Sequence, residues 1–207
     1  MSEATNKKDH WEAVYQKKSP VEVSWYQKVP VLSLQLTIRL LKKKSDRIVD
    51  VGGGASTLAD HLLDKGFDDI TVLDLSSEAL AHAQKRLGQK SAQISWVAAD
   101  ITEWEPSGTF ELWHDRAVYH FLTEKTDREK YKDVLKRATH PGSWVIIAAF
   151  SIGGPEKCSG LDIVQYDREK LQSELGDSFT FVEEQFESHI TPTGKEQAFG
   201  YFVFERQ

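Results

Sequence analysis

Short apolar runs alternate along this chain with longer segments whose apolar residues recur at helical spacing. That alternation predicts βα units around a mainly parallel sheet. Asp9 to Lys44 reads as helical, with apolar residues at Val31, Leu32, Leu34, Leu36, Ile38, Leu40 and Leu41. The basic end at Lys42–Lys44 suits a helix C-terminus. Arg47–Val51 reads as a buried strand running into Gly52-Gly53-Gly54, and Ser56–Lys65 as the helix that follows. A second strand, Asp69–Leu73, feeds a helix at Ser77–Leu87, capped by Ser76 and stopped by Gly88. Strands follow at Ile94–Ala98 and Phe110–Trp113, then a helix at Asp127–Ala138 and a turn at Pro141-Gly142. The most apolar strand, Ser143–Phe150, is predicted to be central. Ser151–Gln165 is loop-like, and Asp167–Leu175 is a short helix ended by Gly176. The β-rich runs Phe179–His189 and Gln197–Glu205 flank Thr191-Pro192-Thr193-Gly194, a hairpin that makes at least one strand antiparallel. The expected fold is α/β: a three-layer αβα sandwich whose seven-stranded, mostly parallel sheet ends in an antiparallel hairpin. No linker or repeat interrupts the pattern, so 1–207 is expected to be one domain, with 1–44 a helical extension.

Composition adds boundaries. Of the 207 residues, 40% are hydrophobic and 28% charged, which predicts a folded chain with a core. A net charge of -6 argues against non-specific binding to nucleic acid or an anionic membrane. The single cysteine, Cys158, excludes an internal disulfide and a thiolate metal site, and points to a reducing compartment. No HExxH or paired CxxC spacing is present, so no metal is expected. The first ten residues hold no apolar run, and the longest apolar stretch, Trp144–Phe150, is far too short to span a bilayer. The expected location is the cytoplasm.

The chemistry concentrates at Val49–Thr57. A strand, a glycine run and a helix let the backbone turn sharply and approach a ligand. A dinucleotide loop of the GxGxxG type would carry a third glycine at 57, where Thr57 stands. Asp50, inside the strand, repels a pyrophosphate and suits a ligand with a cationic amino group. Asp74, at the end of the second strand, stands about 20 residues on, where a ribose-binding acid belongs. Asp100 closes the third strand. Taken singly, Asp74 also reads as a helix cap and Asp100 as a cap for the turn Ile101–Trp104. Three acids at three successive strand ends point instead to one ligand cleft at the edge of the sheet.

This order of loop and acids, with the terminal hairpin, resembles the class I S-adenosylmethionine-dependent methyltransferases over about Trp11–Phe204. The resemblance implies S-adenosylmethionine as cofactor and S-adenosylhomocysteine as product. It matches the family's loop to Asp50, Gly52, Gly53 and Gly54, its ribose acid to Asp74 beside Leu75, and its adenine acid to Asp100 beside Ile101. The loop's usual last glycine is Ser56 here. An aromatic N-terminus (Trp11, Tyr15, Trp25, Tyr26) is similar to a cofactor lid found in relatives that include a group acting on protein lysines, and equally reads as packing. Tyr26 is the expected cofactor contact. That lysine-methylating group has an Asp-Lys-Gly type motif after strand four, where this chain has His114-Asp115-Arg116.

His114-Asp115-Arg116 is the expected acceptor-side cluster, with His114 also near the cofactor; an internal Asp115–Arg116 network is the alternative. His120 is a second candidate base. Cys158 and His189 are candidates for the pocket rim, or a bystander and a hairpin residue. The methyl acceptor, a small molecule or a protein side chain, is open, as is monomer against homodimer. An NAD-dependent oxidoreductase and a non-catalytic S-adenosylmethionine-binding module are the competing readings. A nucleic-acid methyltransferase is disfavoured, because no Asn-Pro-Pro-Tyr type motif follows strand four.

Overall fold

A computed structural model describes residues 3–207, with side chains from Lys7 onward. Five strands are joined by helices except between the third and fourth, where a loop connects them: β1 (Ile48–Val51), α3 (Leu58–Asp64), β2 (Ile70–Asp74), α4 (Ser77–Leu87), β3 (Ile94–Ala98), β4 (Phe110–Arg116), α5 (Lys125–Ala138) and β5 (Thr139–Phe150). A two-stranded ribbon, β6 (Lys157–Cys158) and β7 (Leu161–Asp162), precedes α6 (Arg168–Leu175) and the hairpin β8 (Phe179–Ile190) and β9 (Glu196–Arg206). The sheet order is β3-β2-β1-β4-β5-β9-β8. β1 to β5 are mutually parallel, and β9 runs antiparallel to both neighbours. Order reverses between β1 and β4, which opens a crevice at the carboxyl ends of those strands. Leu36, Leu62 and Leu80 pack on one face of the sheet; Tyr131, Leu135, Leu171 and Leu175 pack on the other. The expected three-layer sandwich is therefore the observed one.

Four features differ from expectation. The N-terminal segment is not one helix from Asp9 to Lys44. It is α1 (Glu3–Lys17), a single 3-10 turn at Pro20–Glu22 and α2 (Val31–Leu40). Pro20 and Pro30 remove amide donors and disfavour helix in the residue before each. Lys42–Lys44 lie beyond the last helical turn. β4 runs three residues past Trp113, and Pro141-Gly142 lies within β5, in the stretch where the register against Phe110–Leu112 shifts. Gly142 absorbs that bulge with φ +89°. Within the stretch expected to be loop, β6 and β7 seat Cys158 in the interior. Among the described residues no helix is long and apolar enough to cross a membrane.

Candidate active site

The glycine turn follows from β1. Gly52 and Gly54 have φ +67° and +30°, and any side chain at Gly52 would strike Val118. A Cβ on Gly53 would lie 2.6 Å from Asp50 Oδ2, and one on Gly54 would strike the Asp74 carboxylate. The glycines thus keep the backbone against two acids. Ser56 and Thr57 fix the turn from outside. Ser56 Oγ accepts from Leu58 N at 3.1 Å, and Thr57 Oγ1 donates to the carbonyls of Gln27 and Lys28 at 3.1 and 3.3 Å. Thr57 thus ties the turn to the segment joining α1 and α2, while Ser56 closes it locally.

Asp50 and Asp74 lie against this turn, and Asp100 lines the main cavity with Gly52 and Asp74; each acid is held by one carboxylate oxygen. Asp50 Oδ1 pairs with His114 Nδ1 at 2.7 Å, while the buried Oδ2 has no hydrogen-bond partner among the described residues. Asp74 Oδ1 accepts from Ser76 N, and Asp100 Oδ1 accepts from the Thr102 amide and hydroxyl, each at 2.8 Å. Capping and lining the cavity therefore coexist at Asp74 and Asp100. Burial pushes the Asp74 carboxyl up to about 7, and the nearby Asp50 and Glu12 charges act in the same direction. The cavity beside them is lined by Gly52, Leu75, Asp100 and Ile101. Leu75 and Ile101 offer apolar surface to a planar base, and the carboxylates offer acceptors to hydroxyl and amino groups. This donor set fits S-adenosylmethionine: an unpaired buried carboxylate oxygen for an ammonium, a second acid for a ribose, and a turn with no Cβ between them.

α1 forms the roof. Lys7, Trp11 and Tyr15, at spacings of four residues, put one helix face on the cavity. Trp11 meets Trp25 and Phe121 edge-on at centroid distances of 5.5 and 5.1 Å, and Trp25 Nε1 donates to Tyr15 Oη at 3.2 Å. Lys7 pairs with Asp127 on α5 at 3.2 Å. Glu12 is the main fastener. Its carboxylate accepts from Ser76 Oγ, Ser77 N, Ser77 Oγ and Glu78 N at 2.8–3.1 Å, just beyond Asp74. Burial alone would raise its pKa, but these bonds hold the carboxyl below the usual range. Tyr26 lines a smaller adjoining cavity with Asp50 and Gly53; Trp11 faces the main one, and Tyr15 and Trp25 line both. Glu12 carried no signal in the sequence, because its partners are more than 60 positions away.

The acceptor-side cluster is divided. Because β4 extends to Arg116, strand alternation applies through the polar run, and Asp115 points away from His114 and Arg116. Asp115 is fully buried on the α5 side. It accepts from the amides of Val118 and Tyr119 and, at 2.6 Å, from Tyr131 Oη. Its expected place beside the acceptor is corrected to a structural one, and its network runs to Tyr131, not to Arg116. Burial pushes its carboxyl up to about 6 against those bonds. His114 is 2% exposed, and its Nε2 meets Ser33 Oγ at 2.9 Å. Both of its nitrogens are engaged, one by Asp50 and one by Ser33, and it lines the smaller cavity rather than the main one where the acceptor-side cluster is expected. Arg116 alone of the three lines the main cavity. His120 is enclosed by Phe121 and Phe150, and burial, then the Arg116 charge, hold its pKa down at about 3. Cys158 lines the cavity, with burial pushing its thiol up to about 11. His189 donates to the Ser24 carbonyl at 2.7 Å, pinning the hairpin to the N-terminal segment.

Residues 48–142 match the family model described as a methyltransferase domain. The chain is 27% identical over 123 residues to the eEF1A lysine and N-terminal methyltransferase of Mus musculus, covering 59% of this chain and 17% of that protein. It is 23% identical over 154 residues to the Bos taurus protein of the same name, covering 74% and 21%. The chain thus spans about a fifth of the length of these curated relatives. Among solved structures, a SAM-dependent methyltransferase from Anabaena variabilis superposes with TM-score 0.77 at 14% identity, covering 100% of this chain and 96% of that one. The N-methyltransferase NodS of Bradyrhizobium japonicum, in complex with S-adenosylhomocysteine, superposes with TM-score 0.71 at 16% identity, covering 96% and 99%. The glycine turn, the acids and the sheet order surround the stretch 48–142 that matches the methyltransferase-domain model, and the whole fold is that of the solved S-adenosylmethionine-dependent methyltransferases it superposes on.

Proposed function

We propose that this domain methylates a small, uncharged nitrogen nucleophile inside the roofed cavity. The observation that carries this reading is the aromatic enclosure formed by Trp11, Tyr15, Trp25 and Phe121. An amine attacks only when neutral, and an apolar enclosure favours its neutral form. Ring faces then stabilise the positive charge that grows on nitrogen. The cofactor supplies an electrophilic methyl group on its sulfonium. The chain's residues align donor and acceptor and exclude water. No general base is assigned: both His114 nitrogens are engaged, and His120 lies behind Phe121. Solved structures of similar fold include NodS and a glycopeptide N-methyltransferase, which supports nitrogen as the acceptor atom.

A protein acceptor is the second reading, favoured by the similarity to the eEF1A lysine and N-terminal methyltransferases. The test is transfer of labelled methyl from S-adenosylmethionine to a panel of small amines and N-heterocycles, alongside a protein extract. Label in small molecules supports the proposal; label in protein alone refutes it. The same reading places the enzyme in the cytoplasm, without nucleic-acid partners, as a monomer or homodimer.

A further inference from the structure

β8 closes the sheet beyond β9, so one edge of this strand has no neighbouring strand. α6 covers the beginning of that edge. Gln172 Nε2 donates to the Phe179 carbonyl at 2.8 Å, and Phe181 N donates to Gln172 Oε1 at 3.0 Å. Past the bulge at Phe181–Glu183 the ladder resumes without that cover. Ser151 N donates to the Ala198 carbonyl, so Ala198 turns its backbone toward β5, and Ser188, opposite it, turns its own outward. The two-residue repeat puts Glu184, Phe186 and Ile190 in the same position as Ser188. Among the described residues, none outside β9 bonds to the backbone of these four. Their side chains share one face, on which Phe186 is 68% and Ile190 59% exposed. Phe186 lies opposite Gly200, which has no side chain to cover it. An open ladder edge beside exposed apolar side chains is a pairing surface.

The charges along the strand select the partner. Glu183 pairs with Arg39, and Glu187 accepts from Gln27 Nε2 and Tyr201 Oη at 2.9 and 3.1 Å. Glu184 is the acid left to enter an interface. Antiparallel pairing of the strand with itself, about a two-fold axis at Phe186, sets Phe186 against Phe186 and Glu184 against Ser188. It also brings Ile190 beside Val182, which is 45% exposed. An axis at Glu184 would oppose two like charges, and one at Ser188 would shorten the ladder and oppose Glu184 to Pro192, which has no amide. The registers between them would set Glu184 against Phe186 or Ile190. We propose that β8 is the interface of a homodimer, in which two copies of this chain pair their β8 edges antiparallel about Phe186 and continue one sheet across both.

Sedimentation equilibrium of the full chain, combined with cysteine crosslinking, tests this. The wild type is expected to be a dimer. Phe186→Lys, at an exposed position that leaves the core untouched, opposes two ammonium groups and removes the central aromatic contact. It should raise the dimer dissociation constant at least about tenfold. Phe186→Cys reads the register. Hydrogen-bonded residues facing each other across an antiparallel pair have Cα atoms about 5.5 Å apart, within disulfide reach, so mild oxidation should join two chains. Ser188→Cys would hold its two thiols about 13 Å apart and should stay uncrosslinked. Cys158 is buried and does not compete. A wild type that stays monomeric at its highest soluble concentration overturns the proposal and leaves the edge to a different partner. A dimer whose dissociation constant is unchanged in Phe186→Lys places the interface elsewhere. Crosslinking of Ser188→Cys but not of Phe186→Cys overturns the register.

Discussion

Replacing Glu12 by alanine separates the roof from the fold. The Glu12 carboxylate accepts four hydrogen bonds at the start of α4, so α1 is fastened to the same β2–α4 junction that carries Asp74. Removing a helix-capping side chain costs about 1 kcal/mol. Losing a carboxylate from a helix N-terminus adds about 0.5 kcal/mol. Partial exposure keeps the sum below that for fully buried charged bonds. α4 keeps its own cap, because Ser76 Oγ still accepts from Ala79 N at 3.1 Å. The loss of about 1.5 kcal/mol therefore falls on α1 docking and weakens S-adenosylhomocysteine binding about tenfold. Calorimetry reads the affinity, and hydrogen exchange across residues 7–17 reads the docking. Unchanged affinity together with unchanged exchange would refute the idea that Glu12 fastens a roof over the cofactor.

Three further outcomes follow from the same geometry. Asp74 is raised to about 7 from 3.8, so its contribution to stability is fullest below about 4 and is lost as pH rises through 7. A ligand that uses the carboxylate form shows the opposite trend: S-adenosylhomocysteine affinity should rise by up to about tenfold per pH unit between 5 and 7 and then level off, and a flat profile would remove Asp74 from the contact. Tyr131→Phe strands the buried Trp113 Nε1, which now meets the hydroxyl at 2.8 Å, and leaves the buried Asp115 Oδ2 with the Tyr119 amide alone after losing the hydroxyl at 2.6 Å. Urea unfolding should show a loss of about 2–4 kcal/mol, and a loss below about 0.5 kcal/mol would mean the network is dispensable. Gly54→Ala drives a methyl into the Asp74 carboxylate, so ligand binding should fall by at least about 30-fold while far-UV circular dichroism stays native; retained affinity would show that the turn relaxes.

The sheet was legible because β1 and β2 are buried on both faces, β8 alternates between half-buried and exposed positions, and glycine or a capping residue bounds the elements, as at Ser76 and Gly88. The three acids were legible because each sits at or next to a strand end, where topology alone brings them together. The His114-Asp115-Arg116 run was misread for a physical reason. Its polarity looks like a loop, yet pairing with Ile146, Ile147 and Ala148 continues the strand and sends alternate residues to opposite faces. The fasteners Glu12, Ser33, Glu187 and Tyr201 were invisible. Each is an ordinary polar residue whose partner is distant in sequence and is brought close only by the fold.

The central claim is that Asp50, the glycine turn, Asp74 and Asp100 together bind S-adenosylmethionine. Titrating S-adenosylhomocysteine and NAD into the wild type and into Asp74→Asn tests it most directly. The account predicts one S-adenosylhomocysteine per chain, no heat from NAD, and an affinity at least about tenfold weaker in the variant. Saturable binding of NAD alone, or equal S-adenosylhomocysteine affinity in both proteins, would contradict it.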